Sequence, residues 1–197
     1  SINNGINLSG EGGLTWIKSR TSAYSHALYD TVRGNTKHLY SNQPWGEQTF
    51  TTGMTSFNNN GFSIGTHTDV NNSSQDFSSW TFRKAKGFFD VVTWTGDGTN
   101  RDISHSLGCV PGMIMVKCTS HSADWLVYHR SLDSGTATNI KYLVLNSSVA
   151  APQSYSFWQN TLPTATSFRV DSGVELNDTG KTYVAYVFAG GESPAAT

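Results

Sequence analysis

The feature that most constrains this chain is that it says one thing twice. Residues 61–82, GFSIGTHTDVNNSSQDFSSWTF, align without a gap on residues 167–188, SFRVDSGVELNDTGKTYVAYVF. Phe62 meets Phe168, Val70 meets Leu176, Asn71 meets Asn177 and Phe82 meets Phe188, all at an offset of 106. Nearer the start of each half, GLTWIK at 13–18 matches GMIMVK at 112–117, and Tyr29 matches Tyr128, at an offset of 99. The drift from 99 to 106 places about seven extra residues in loop-like sequence of the second copy. A repeat of this length means one supersecondary unit used twice.

Each copy reads as strands. LTWIK and MIMVK are short apolar runs closed by lysine; HALYDTV and DWLVYHRS follow, then KHLYSN and IKYLVLNS, then GFSIG and TSFRVDS, then FSSWTFRK and TYVAYVFAG. These runs are too short for helices and rich in aromatic and β-branched residues. In the last strand of each copy, period-two alternation puts Ser78, Trp80 and Phe82 on one face, as it does Val184, Tyr186 and Phe188. We expect those two rows to face the core, with Trp16, Trp94 and Trp125 also inside. Between the copies, FDVVTW reads as a strand, TGDGTN carries the Asp-Gly signal of a tight turn, and RDISHSL reads as the returning strand. The prediction is about twelve antiparallel strands in an all-β, jelly-roll or lectin-like sandwich. It spans 1–197 as a single domain, with repeats at 13–85 and 112–190 joined by a hairpin over 88–110. No linker rich in proline, serine or charge separates the copies.

Charge and composition narrow the function. Thirteen Lys and Arg balance fourteen Asp and Glu, so no basic stripe exists to neutralise nucleic-acid phosphates. No apolar run approaches the roughly 20 residues that span a bilayer, so no membrane insertion is expected. The chain starts without Met, and its first residues lack the layout of a signal peptide. It therefore reads as processed or as a piece of something longer. Two cysteines, Cys109 and Cys118, are too few for a disulfide framework or a cysteine zinc site; a bridge across a hairpin and two free thiols are both open.

Candidate chemistry is sparse. His67 and Asp69 share a strand face but lack a third ligand, and the second copy has Gly173 and Glu175 there. Asp97 and Asp102 offer oxygens for calcium, which a hairpin turn explains more simply. Asp102, Ser104, His105 and Ser106 supply triad residue types, but as sequence neighbours on one strand they do not converge, and no Gly-x-Ser-x-Gly elbow is present. His129 and Arg130 read as a strand end. Glu11, Glu47, Glu175 and Glu192 are scattered in turns, so no pair of glycosidase carboxylates stands out. We expect no enzyme activity, no metal and no cofactor. Trp45 in NQPWGEQ and Trp158 in SYSFWQN lie in the least patterned loops, flanked by amide side chains. Exposed rings among amides suit sugar faces; the competing reading is that both rings plug the sandwich or an interface.

The motifs GGLTWIKSR…HALYDTVRG, TFRKAKGFFDVVTWTGDGTNRDISHSLGCVPGMIMVK, DWLVYHRSL and TYVAYVFAG together resemble a repeat family in structural proteins of tailed bacteriophages, common in tail and fibre proteins of marine and cyanobacterial phages. The resemblance runs from about Gly12 to Gly191. It implies a lectin-like sandwich in a virion structural protein, a tail fibre or host-facing adhesin, assembled in the host cytoplasm. Capsid decoration and a polysaccharide-degrading tailspike are the alternatives. It further implies other virion proteins as partners, a homo-oligomer (trimeric in fibres) and a host surface glycan. It brings no catalytic residues.

Overall fold

The computed structural model describes residues 1–132, 140–148 and 156–191. The fold is all-β: 42% of residues lie in strands against 6% in helices, and every strand pairing is antiparallel. The chain divides into two compact units, Ser1–Lys84 and Ala85–Thr197.

The first unit runs β1 (Ile2–Asn3), a one-turn α1 (Leu8–Glu11), β2 (Gly13–Ser19), β3 (Ala27–Asp30), β4 (Lys37–Tyr40), β5 (Gln48–Thr49), β6 (Met54–Asn58), β7 (Gly61–Ile64), a one-turn α2 (Thr68–Asn71) and β8 (Phe77–Arg83). One sheet has the order β5-β4-β3-β2-β8 and a second the order β1-β7-β6. Leu8, Ile17, Ala27, Tyr29, Met54, Phe62 and Val70 pack together between them. Gly61 (φ +130°) allows the close approach of β1: a Cβ there would lie 2.1 Å from the Ile2 carbonyl oxygen.

The second unit runs β9 (Phe89–Thr95), β10 (Arg101–Ser104), β11 (Pro111–Cys118), β12 (Leu126–His129), β13 (Leu143–Val144), a 3₁₀ turn at Ser156–Trp158, β14 (Ser167–Val170) and β15 (Thr182–Ala189). Its five-stranded sheet has the order β13-β12-β11-β15-β9, and β10 pairs with β14. Ile114, Val116, Leu126, Tyr128, Ala185 and Val187 of the sheet pack with Ile103, Phe168 and Val170 of the pair.

The order β4-β3-β2-β8 therefore recurs as β13-β12-β11-β15, down to single hydrogen bonds. Asn42 Oδ1 accepts from the His26 amide at 3.0 Å, and Asn146 Oδ1 from the Trp125 amide at 2.8 Å. The Thr31 amide bonds the Gly13 carbonyl, and the Arg130 amide the Gly112 carbonyl, both at 3.0 Å. The lysines that close the first strands behave alike: Lys18 Nζ donates to the Ser19 and Ser22 carbonyls, and Lys117 Nζ to those of Cys118 and Ala123. Burial pushes the Lys117 ammonium down to about 8.

Two expectations are corrected. Residues 88–110 do not form a hairpin, because β9 pairs with β15 and β10 with β14. The Asp-Gly turn is spent elsewhere: Asp97 Oδ1 accepts from the Thr99 amide, the Thr99 hydroxyl and Asn177 Nδ2, while the Gly98 amide bonds the Asn177 carbonyl. That docks the loop onto residues 177–181 and sends β10 to a different partner. Ile103 opposite Phe168 then repeats Ile2 opposite Phe62, so β10 is the counterpart of β1.

The second correction concerns one of the two rows, Ser78, Trp80 and Phe82 of β8, which are half-buried or exposed; Val184 and Tyr186 of the β15 row are fully buried and belong to the core. Ala185 and Val187 pack with Ile103, Phe168 and Val170, while Val184, Tyr186 and Phe188 lie on the other face of β15. Tyr186 is still fully buried, stacked on Trp125 and Phe89, but its counterpart Trp80 is 51% exposed. Alternation defines two faces; it does not say which one the second layer covers. Here that layer sits over the smaller residues. Of the other tryptophans expected inside, Trp125 is buried and Trp16 and Trp94 are half-buried. Cys109 and Cys118 are both unpaired.

Candidate functional site

The first unit carries a polar aromatic cluster that has no counterpart among the described residues of the second. Adjacent strands β3 and β4 bring Tyr29, His38 and Tyr40 together. Tyr29 Oη lies 2.8 Å from His38 Nδ1, and the His38 and Tyr40 ring centres are 4.2 Å apart. Phe50 stands edge-on to His38 at 5.3 Å, and His67 at 5.9 Å. His67 caps α2 by accepting the Asp69 amide on Nδ1 at 3.3 Å, and Asp69 Oδ2 accepts the Tyr40 hydroxyl at 2.6 Å. At the rim, Trp45 meets the Tyr40 ring edge-on at 5.7 Å and is 47% exposed. Glu47 sits on the same loop and holds Arg33 and Lys37, each at 3.1 Å.

The state of His38 follows from its neighbours. The Tyr29 hydroxyl and His38 Nδ1 share one buried hydrogen bond. His38 Nε2 is buried without a hydrogen-bond partner among the described residues. Burial, with His67 and Arg33 nearby, pushes His38 down to about 3. It therefore stays neutral near pH 7 and cannot cycle a proton there. Burial and the Asp69 carboxylate push the Tyr40 phenol up.

Because the folded pKa lies below the unfolded one, this histidine's contribution is complete above about 6.5 and is lost as pH falls toward 3. Between pH 7.5 and 5 the loss from this residue is about 2 kcal/mol. His38→Gln keeps an acceptor for Tyr29 and removes the titration. In urea unfolding at the two pH values, the variant should lose about 2 kcal/mol less than wild type. Equal losses would show that His38 titrates normally.

Of the residues singled out in the sequence, Trp45 keeps an open ring and Trp158 does not. Trp158 is 2% exposed, edge-on to Tyr128 at 5.9 Å, so no sugar face has access to it. His67 and Asp69 join the cluster, but among the described residues no group of three histidine, cysteine or acidic side chains is arranged to hold a metal. Asp97 is paired with Arg101 and Asp102 with Arg169, which sets a cation where calcium would have to sit. His105 is buried flat against Phe168, while Ser104, Ser106 and Asp102 are exposed. Glu11 is bonded to Arg83 and Glu47 to Arg33 and Lys37; Glu175 is half-buried, and Glu192 lies outside the described residues. His129 caps its own turn, its Nδ1 accepting the Ser131 amide.

Tyr29, His38 and Tyr40 were missed, although the duplication carried a signal for two of them. At an offset of 104, set by the matched pairings of Ala27 with Tyr40 and Leu126 with Val144, His38 corresponds to Tyr142 and Tyr40 to Val144. His67 corresponds to Gly173. His38, Tyr40 and His67 are thus differences between otherwise matched copies, whereas Tyr29 is matched by Tyr128 and Asp69 by Glu175.

No curated protein and no solved structure matches this chain. A family model described as a domain of unknown function, DUF7483, matches residues 3–193, nearly the whole length, and the chain belongs to that family.

Proposed function

We propose that the chain is a binding and assembly module of a bacteriophage virion, of the tail-fibre or host-facing adhesin kind, acting without turnover. Its two copies would build a lectin-like sandwich, joined to other virion proteins in a homo-oligomer, and the glycan of a host surface would be its ligand. The motif resemblance supports the virion setting. The observation that carries the binding role is Trp45: a ring 47% exposed, braced by Tyr40, beside the Glu47 and Lys37 charges. An aromatic face packs on the C–H side of a sugar ring while neighbouring charges bond its hydroxyls.

The test is adsorption of the purified chain to host cells. Trp45→Ala is expected to weaken binding about tenfold, the equivalent of about 1.4 kcal/mol. Unchanged binding by a folded variant would remove Trp45 from the site. Reducing-sugar release from the same surface glycans would instead identify a polysaccharide-degrading tailspike. Gold labelling of particles would distinguish a tail position from a capsid decoration.

A further inference from the structure

Two tryptophans of the first unit stand almost equally open to solvent, Trp45 at 47% and Trp80 at 51%. Their neighbours differ in chemistry. Trp80 meets the ring of Trp16 edge-on at 6.4 Å, and no described tyrosine ring lies against it. Trp45 meets the ring of Tyr40 at 5.7 Å and an interplanar angle of 85°. In such an edge-to-face pair the two π-systems touch, so an electron can cross from one to the other directly.

Tyr40 is set up to give that electron. It is 6% exposed, and its hydroxyl donates to Asp69 Oδ2 at 2.6 Å. Burial and the Asp69 carboxylate push the phenol up, so it stays protonated at neutral pH. A phenol that loses an electron becomes a strong acid, and its proton must leave with the electron. Here a carboxylate oxygen already shares that proton. Asp69 is held in turn, because its amide donates to His67 Nδ1 at 3.3 Å. The strand itself does not require this tyrosine: the matched strand of the second copy has Val144 in its place, although Glu175 keeps the carboxylate of Asp69.

We propose that Tyr40 and Asp69 form a one-electron repair centre for Trp45, restoring the indole after attack by a radical oxidant. An oxygen-centred radical in solution removes one electron from the Trp45 indole. Tyr40 gives one electron to that indole, and its hydroxyl proton passes to Asp69 Oδ2. The products are an intact Trp45, a neutral phenoxyl radical at Tyr40 and a carboxylic acid at Asp69. A thiolate in solution then reduces the phenoxyl, and Asp69 returns the proton. The transfer runs downhill, because at neutral pH an indole radical is a stronger oxidant than a phenoxyl radical. Without it, oxygen adds to the indole radical and opens the ring. This activity needs no ligand, so it stands apart from glycan binding.

The test exposes the full chain, without ligand, to azide radicals made by a radiolytic pulse. The indole radical is followed by its visible absorption and the phenoxyl radical by its near-ultraviolet band. In wild type the phenoxyl band is expected to grow as part of the indole band decays. Trp45→Phe and Tyr40→Phe should each remove most of that growth; a smaller part remains from the half-buried Trp94, stacked on Tyr183 at 5.3 Å. Tyr40→Phe deletes only the hydroxyl and keeps the ring that braces Trp45. Asp69→Asn still accepts the hydrogen bond but is no base, and should slow the transfer about a hundredfold. A second readout is chemical. After steady photo-oxidation by a one-electron oxidising dye with a small thiol present, peptide mass spectrometry compares ring-opened tryptophan at 45 and at 80. Trp45 should be spared several-fold relative to Trp80 in wild type, and the two should become alike in Tyr40→Phe. Equal damage at both positions in wild type overturns the proposal, as does phenoxyl growth that is unchanged in Tyr40→Phe or in Asp69→Asn.

Discussion

Replacing Arg33 with alanine is expected to destabilise the first unit by about 3–5 kcal/mol, the usual loss when one partner of a buried ion pair is removed. Both Arg33 and Asp30 are buried; Arg33 Nε bonds Asp30 Oδ2, and its Nη1 reaches Glu47 at 3.1 Å. Asp30 cannot simply turn away, because its other oxygen accepts the Val32 and Arg33 amides at 3.0 and 2.9 Å and so shapes the turn after β3. Alanine at 33 would strand a carboxylate that the backbone itself holds in place. Arg33→Lys should cost less, since an ammonium keeps the charge but cannot span both carboxylates with a rigid fork. Urea unfolding followed by intrinsic fluorescence checks this: Arg33→Ala should bring an early transition. In an Asp30→Asn background the same change should cost much less. A loss below about 1 kcal/mol would mean that solvent reaches the pair.

Trp125→Ala should cost the second unit a similar amount, about 3–5 kcal/mol, for a different reason. Trp125 is fully buried, with its ring centre 6.1 Å from that of Tyr186 at an interplanar angle of 24°, and no polar rearrangement can fill the space it leaves. Trp125→Phe should recover roughly half. Its counterpart in the first copy is the half-buried His26, so Trp125→His tests how far the copies are interchangeable at a matched site. Thermal unfolding monitored by near-ultraviolet circular dichroism gives the answer, and a Trp125→Ala variant that melts with the wild type would sink the assignment.

Strand positions were legible because each β run is short, apolar and bounded by turn residues. LTWIK became β2, MIMVK part of β11 and TYVAYVFA β15. What escaped was anything decided between strands. Nothing local tells FDVVTW that its partner lies about ninety residues downstream and not in the next turn, and the Asp-Gly signal is genuine even though Asn177 captures it. Ile2–Asn3 is too short to register as a strand without Phe62 beside it. Side-chain size puts the row holding Trp80 in the core, but face assignment depends on where the second layer lands. The His38 cluster escaped because its members come from three separated segments, and only a position-by-position comparison of the copies isolates them.

The order of strands has one more consequence. Text and object are out of phase: the clearest repeat in the writing resumes at Gly112, whereas the second folded body starts at Ala85. Scissors applied at 111/112 would part β9 from β15 and β10 from β14; applied at 84/85 they would part no described strand from its neighbour. Anyone trimming, shuffling or tandemly copying this sequence should therefore count from the lysine at 84, because the strand that finishes one body is written before that body's own first line.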